Sequence, residues 1–214
     1  MLLLLWANTF IVTIDAAGLL DFTVRGAEEQ MQQNTCFRKA DLGKEPKDHA
    51  VLEQLGIRTA RVSDVEQLLS LINDCDASEV MLPRGPKYLF ENIRDFVVVE
   101  AETAAGQRRI VACGSLHVLW KNVAEIRSLS IDPEYQRQGL GSKIVLHLLE
   151  DARQIGINMV CTFTMATHFF EKLGFSLKEK EELPSKVFGE CNNCPKYFRC
   201  NETGLIIDCS EHRE

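Results

Sequence analysis

Residues 126–155 constrain the fold more than any other stretch of the 214-residue chain. An apolar, strand-like run, Ile126-Arg127-Ser128-Leu129-Ser130-Ile131, meets a turn at Asp132-Pro133-Glu134. Gln136-Arg137-Gln138-Gly139-Leu140-Gly141 follows and leads directly into residues 142–155. There Ile144, Val145, Leu148, Leu149, Ala152 and Ile155 fall on one stripe of helical period, and Gly156 supplies a stop. A strand, a glycine-bearing loop and a helix together offer several free N–H groups to a phosphate. The first amides of a helix lack internal partners, and the aligned peptide dipoles make that end electropositive. Glycines at 139 and 141 remove the β-carbons that would hold a pyrophosphate away. The pattern is Gln-x-x-Gly-x-Gly, neither the Gly-x-Gly-x-x-Gly of a dinucleotide fold nor a Gly-Lys-Ser/Thr P-loop. Taken alone it leaves a phosphate loop and a plain strand–turn–helix connection both open.

The flanking segments narrow the choice. A strand-like run at residues 159–163 precedes a short helix candidate at 167–173, closed by Gly174-Phe175. Upstream, residues 57–61 read as a strand. Ser63-Asp64-Val65-Glu66 reads as a helix start with an acidic first turn, its apolar face carried by Val65, Leu68, Leu69 and Ile72. Residues 96–100 are β-branched, 103–108 make a turn, and 110–116 and 125–131 run as successive antiparallel neighbours.

The loop, its helix, the next strand and Phe169-Phe170-Glu171-Lys172-Leu173-Gly174-Phe175, at this spacing, resemble the coenzyme A site of the GNAT superfamily of N-acetyltransferases. The resemblance covers roughly residues 57–207. It implies an α/β (α+β) fold of GNAT type, with a central mixed, mostly antiparallel sheet flanked by helices. It also implies acetyl-CoA as cosubstrate, held by Leu129, Ser130, Ile131, Gln136, Arg137, Gln138, Gly139, Leu140, Gly141, Ser142 and Phe170. Leu82-Pro83-Arg84, Ile93-Arg94-Asp95-Phe96, Ala124-Glu125-Ile126-Arg127, Leu183-Pro184-Ser185-Lys186 and Cys191-x-x-Cys194-Pro195-Lys196 sharpen the match. Together they resemble the short amino-acid N-acetyltransferases that make N-acetylglutamate, the opening step of arginine biosynthesis. The amino-acid-kinase domain of longer members is absent from the sequence, which puts regulation through that domain in doubt.

That chemistry needs a base, because an α-amine titrates near about 8 and must lose a proton before attack. Glu125 is the candidate, directly or through a water; the alternative is that it pairs with Arg127, on the same strand face. By resemblance, amides around Leu129 and Ile131 meet the thioester oxygen as it gains charge. The tyrosine that many GNAT proteins carry before Gly-Phe is replaced by Phe169 and Phe170, so no residue is assigned as acid for the thiolate. Arg84, Arg127 and Lys186 are candidates for the carboxylates of the substrate, since arginine offers a bidentate fork. Another amine acceptor, or a non-catalytic coenzyme or metal sensor, would need no paired cations.

A formal charge of -7 and no basic run argue against nucleic acid. The expected partner is therefore a small amino acid. A two-fold dimer is the default assembly. Cys113 and Cys161 sit in apolar strands as small hydrophobes. Cys191, Cys194, Cys200 and Cys209 cluster late. They suit a structural zinc, with His212 as a substitute ligand, or reduced thiols packing a C-terminal element over the sheet, or a redox pair at 191 and 194. Residues 1–14 are apolar but lack a basic n-region, and the run is short for a span. The expected organisation is a poorly ordered extension over 1–50, or an upstream start before Met31, then an acetyltransferase domain over 51–214 in the cytoplasm, with no membrane contact.

Overall fold

A computed structural model describes residues 13–14, 20–21, 55–76, 84–102, 106–179, 182–183, 189, 191, 194 and 197–210. Two short strands, β1 (Thr13–Ile14) and β2 (Leu20–Asp21), pair with each other. The remaining strands are β3 (Ile57–Thr59), β4 (Phe96–Glu102), β5 (Arg108–Trp120), β6 (Val123–Ile131), β7 (Met159–Thr164), β8 (Ser176–Leu177) and β9 (Thr203–Asp208). They form one seven-stranded sheet in the order β3-β4-β5-β6-β7-β9-β8. All neighbours are antiparallel except β6 and β7. This is the mixed, mostly antiparallel sheet expected from the sequence. Among the described residues, no helix is long and apolar enough to cross a membrane.

Helices cover both faces. On one side lies α3 (Leu140–Gln154), where Leu140, Ile144, Val145, Leu148, Leu149 and Ala152 are buried on a single stripe. They pack on Val97, Val99, Val111, Ala124, Ile126 and Val160 of the sheet. Ile155, counted in that stripe from the sequence, is exposed because the helix has already ended. Gly156 at φ +82 turns the chain there, and Ile157 donates back to the Ala152 carbonyl at 2.8 Å. Gly114 sets how closely α3 approaches β5: a β-carbon there would stand 2.8 Å from Ile144 Cγ2.

The other face carries α1 (Val65–Asp76) and α2 (Pro86–Glu91). Val65, Leu68, Leu71 and Ile72 of α1 and Leu89 of α2 pack on Phe96, Val98, Ile110 and Cys113. Asp64 fixes how α1 begins. Its carboxylate accepts the Arg61 N–H at 2.7 Å and the Arg58 guanidinium at 2.7 and 3.1 Å. Arg58 also reaches Glu100, so one cation ties β3 and β4 to the start of the helix.

The cysteine-bearing C-terminal segment departs from expectation. Instead of only packing over the sheet, it contributes β9, which lies inside the sheet between β7 and β8. Gly204 and Leu205 are buried, and Ile206 and Ile207 half-buried, where they pair across Val160 to Phe163.

Candidate active site

Two irregularities in β6 make room for a ligand. Cys113 pairs with Ser130 and Ser115 with Arg127, so Gly114 alone stands opposite Ser128 and Leu129. This is a bulge, which takes a residue out of the ladder. Ser128 adopts φ +52, an unusual conformation for a non-glycine residue and one that persists only where its surroundings enforce it. Here they do: Ser115 Oγ donates to the Arg127 carbonyl at 3.1 Å, and Cys113 Sγ donates to that of Ser128 at 3.5 Å. The second irregularity is that β6 and β7 pair only at residues 123–125 with 159–161. Beyond them the strands part, and the Thr162 hydroxyl crosses the gap to the Ile126 carbonyl at 3.2 Å. The bulge at Ser128–Leu129 and the parting of the strands lie on the same stretch of β6, where the thioester donors are expected.

The glycine loop stands at the far end of that opening. Gln136 Nε2 donates to the Ile131 carbonyl at 3.0 Å and Gln138 Nε2 to that of Glu134 at 2.9 Å, so both glutamines shape the loop from within. Arg137 at φ +60 and Gly139 at φ +84 turn the chain into α3, and a β-carbon on Gly139 would meet nothing within 4 Å. Gly139 is exposed, and Gly141 and Ser142 are half-buried, at the positive pole of a 15-residue helix whose first amides lack intrahelical partners. This suits an anionic coenzyme moiety. Leu129 and Ile131 are half-buried along the way.

Phe170, an expected coenzyme residue, lies in the core. It is 3 % exposed and packed edge-on against Phe175 in the core under α4 (Thr167–Glu171). The helix turns its neighbour toward the loop instead: Phe169 Cζ lies 3.3 Å from where a Gly141 β-carbon would be. Adjacent residues on a helix point about 100° apart, and the sequence gives two phenylalanines with no indication of which one faces in.

Glu125 and Arg127 lie on the sheet face that α1 and α2 cover, only 8 % and 6 % exposed. Arg127 Nη2 donates to Glu125 Oε2 at 2.7 Å. The pairing of Glu125 with Arg127 weighed from the sequence is thus present. Glu125 sits opposite His117 of β5 and beside Cys161 of β7. His117 Nδ1 is 2.7 Å from Asp95 Oδ2, a pair that sequence inspection passed over because its members are 22 residues apart.

Arg84 precedes α2. Asn73 holds its backbone on both sides, accepting from the Arg84 N–H at 3.0 Å and donating to its carbonyl at 3.2 Å. Its guanidinium lies 4.2 Å from the centre of the Tyr88 ring. Nothing in the sequence signalled Asn73 or Tyr88. Lys186 and His212 fall outside the described residues. Of the two tyrosines in the C-terminal half, Tyr135 is buried in the core and Tyr197 is exposed. Neither replaces the phenol lost at Phe169 and Phe170.

The four-cysteine zinc site does not form. Among the described residues no three histidine, cysteine or acidic groups come together as metal ligands. Cys209 is buried at the end of β9, its amide bonded to the Asn158 carbonyl and its thiol near Arg153. Cys191 stands elsewhere, within electrostatic reach of Cys194, Cys200, Glu125 and Glu202. Burial first, and then these acidic neighbours, push the Cys191 thiol up, against thiolate formation.

The pattern of the acetyltransferase (GNAT) family matches residues 65–175. An uncharacterized N-acetyltransferase of Chlorobaculum tepidum is 30% identical over 150 residues, 70% of this chain and 94% of that one. An amino-acid acetyltransferase of Mycobacterium tuberculosis is 36% identical over 134 residues, 63% of this chain and 75% of its own length. Among solved structures, a Mycobacterium tuberculosis protein in complex with CoA superposes with a TM-score of 0.61 at 29% identity, covering 72% of this chain and 98% of that one. The family match spans α1, the bulged strand, the glycine loop and the closing helix, just over half of the residues. The chain belongs to the GNAT acetyltransferase family and is an acetyl-CoA-dependent acyltransferase.

Proposed function

We propose that the protein transfers the acetyl group of acetyl-CoA to the α-amino group of glutamate, giving N-acetylglutamate for arginine biosynthesis. The observation that carries this reading is the buried Glu125–Arg127 pair beside the bulge at Ser128. A carboxylate there takes a proton from the attacking ammonium, and the adjacent guanidinium has further donors for a substrate carboxylate. The similarity to an amino-acid acetyltransferase at 36% identity supports the substrate class.

Acetyl-CoA supplies an activated acyl group as a thioester. The residues proposed to hold it are Gln136, Arg137, Gln138, Gly139, Leu140, Gly141 and Ser142 at the pyrophosphate, with Leu129, Ser130 and Ile131 along the arm and Phe169 against the loop. Backbone amides at the bulge meet the acyl oxygen as charge builds on it. Arg84, clamped by Asn73 and stacked on Tyr88, is the candidate for the second carboxylate, together with Lys186. On this reading the catalytic unit is residues 51–214, with 1–50 outside the chemistry.

The test is thiol release from acetyl-CoA with each amino acid in turn. Release that needs glutamate, with N-acetylglutamate identified by mass, establishes the substrate. Release with a different amine keeps the transferase and discards glutamate.

A further inference from the structure

We infer that His117, oriented by Asp95, is the group through which the site passes its surplus proton to solvent. This rests on the reading of Glu125 as base. The proton count sets the need. A protonated amine enters, its nitrogen bonds to the acyl carbon as the carbon–sulfur bond breaks, and an amide leaves. Two protons depart from nitrogen; one ends on the thiolate, and one must reach bulk water. Glu125, buried and ion-paired with Arg127 at 2.7 Å, can capture a proton but is a poor place to keep it, since the guanidinium favours the charged carboxylate. Arg127 has no acceptor position.

His117 fits the next step. It is the cross-strand partner of Glu125 on the same face, which brings the two β-carbons within about 5 Å. Its side chain is 30% exposed, so the ring links a buried carboxylate to water. Asp95 Oδ2 stands 2.7 Å from Nδ1, and a carboxylate can only accept. Nδ1 therefore carries the hydrogen, and Nε2 is the position that takes a second proton. An imidazole is also the one side chain whose ordinary titration spans neutral pH. The charged and titratable groups around it are Asp95 from the turn before β4, Glu125 and Arg127 from β6, and Cys161 and Cys191 beside Glu125. Glu66 and Asp74 of α1, Lys87 and Glu91 of α2, and Arg94 point to solvent.

The test compares H117Q, D95N and E125Q, with acetyl-CoA saturating and L-glutamate as acceptor, from pH 5.5 to 9. H117Q is expected to lose at least about tenfold in kcat, with the loss largest above neutrality and coenzyme KM unchanged. Added imidazole should restore the rate, while the native enzyme should ignore it. D95N should lower kcat and leave coenzyme KM unchanged, because the ring is no longer held by a carboxylate on Nδ1. Equal loss at every pH without imidazole rescue, or H117Q kinetics like the native enzyme's, overturns the proposal. Should H117Q fold poorly, nuclear magnetic resonance of the His117 ring in the native protein and D95N reads the tautomer directly; hydrogen on Nε2 instead of Nδ1 overturns it. E125Q separates the two ideas: if it retains activity, the base assignment fails whatever His117 does. If no amino acid is acetylated, both fall.

Discussion

Arg127 Nη2 donates to Glu125 Oε2 at 2.7 Å from two positions along the same strand, with both residues almost entirely out of solvent. Each therefore sets the other's chemistry. Replacing Glu125 by glutamine keeps the shape and the hydrogen bond but removes the proposed base. The expected outcome is a loss in kcat of about 10²–10⁴ with coenzyme affinity retained, read from thiol release and a CoA titration.

Arg127→Met should act on stability and should do so with a pH dependence. Removing the cation leaves a buried carboxylate without its ion-pair partner, a change that costs about 3–5 kcal/mol. An unpaired buried carboxyl binds its proton more tightly, so the penalty should be largest above neutrality and shrink as pH falls. Urea unfolding at pH 8 and pH 5 would show it; equal losses at both would mean that Arg127 matters for packing alone.

Two glycines should separate stability from binding. Gly114→Ala drives a methyl toward Ile144 Cγ2 at 2.8 Å and should cost about 1–3 kcal/mol by chemical denaturation. Gly141→Ala places its methyl 3.3 Å from Phe169 beside the loop, so it should weaken CoA binding more than it lowers the melting temperature. Truncating Phe169 together with Gly141→Ala should recover part of that affinity.

The network of Arg58, Asp64 and Glu100 should make the fold acid-sensitive. The Arg58 hydrogen bonds are the main cause holding both carboxyls below their ordinary range, with burial opposing. A carboxyl that is more acidic when folded contributes fully above its unfolded pKa and loses that contribution as pH falls through the folded value. Arg58→Leu should therefore lower stability at pH 7 and flatten its decline between about pH 4 and pH 2. Thermal melts across that range provide the check.

Thiol labelling should follow burial. Burial pushes the Cys113 thiol up to about 12 and raises that of Cys161 as well, so both should react only as the sheet opens. Cys200 is exposed and should react at once. A chelator should leave the melting temperature unchanged, since Cys209 lies apart from Cys191, Cys194 and Cys200; a stoichiometric metal in the purified protein would contradict this.

The legible parts of the molecule were those written in local pattern. The stripe from Ile144 to Ala152 and the β-branched run at Phe96–Val99 announce their structure within one element, because helical and strand periodicity are short-range properties. Gln136–Gly141 was readable because a loop that meets phosphate has a restricted choice of residues. The hidden parts depend on pairing between distant segments. His117 meets Asp95, and Asn73 grips Arg84, only after β5 and α1 have been set in place. The choice between Phe169 and Phe170 needed the roll angle of α4, and the position of β9 needed the order of the whole sheet. Neither is encoded in spacing.

That order has a consequence for biosynthesis. Among the sheet strands, β9 is the last to leave the ribosome, yet it is laid down between two made earlier. Strands β3 to β7 can zip together behind the exit tunnel, whereas β8 has no neighbour until residues 203–208 emerge. A nascent chain arrested near residue 200 would therefore present an open β7 edge to its surroundings, with chaperones as its only cover until the final strand closes it.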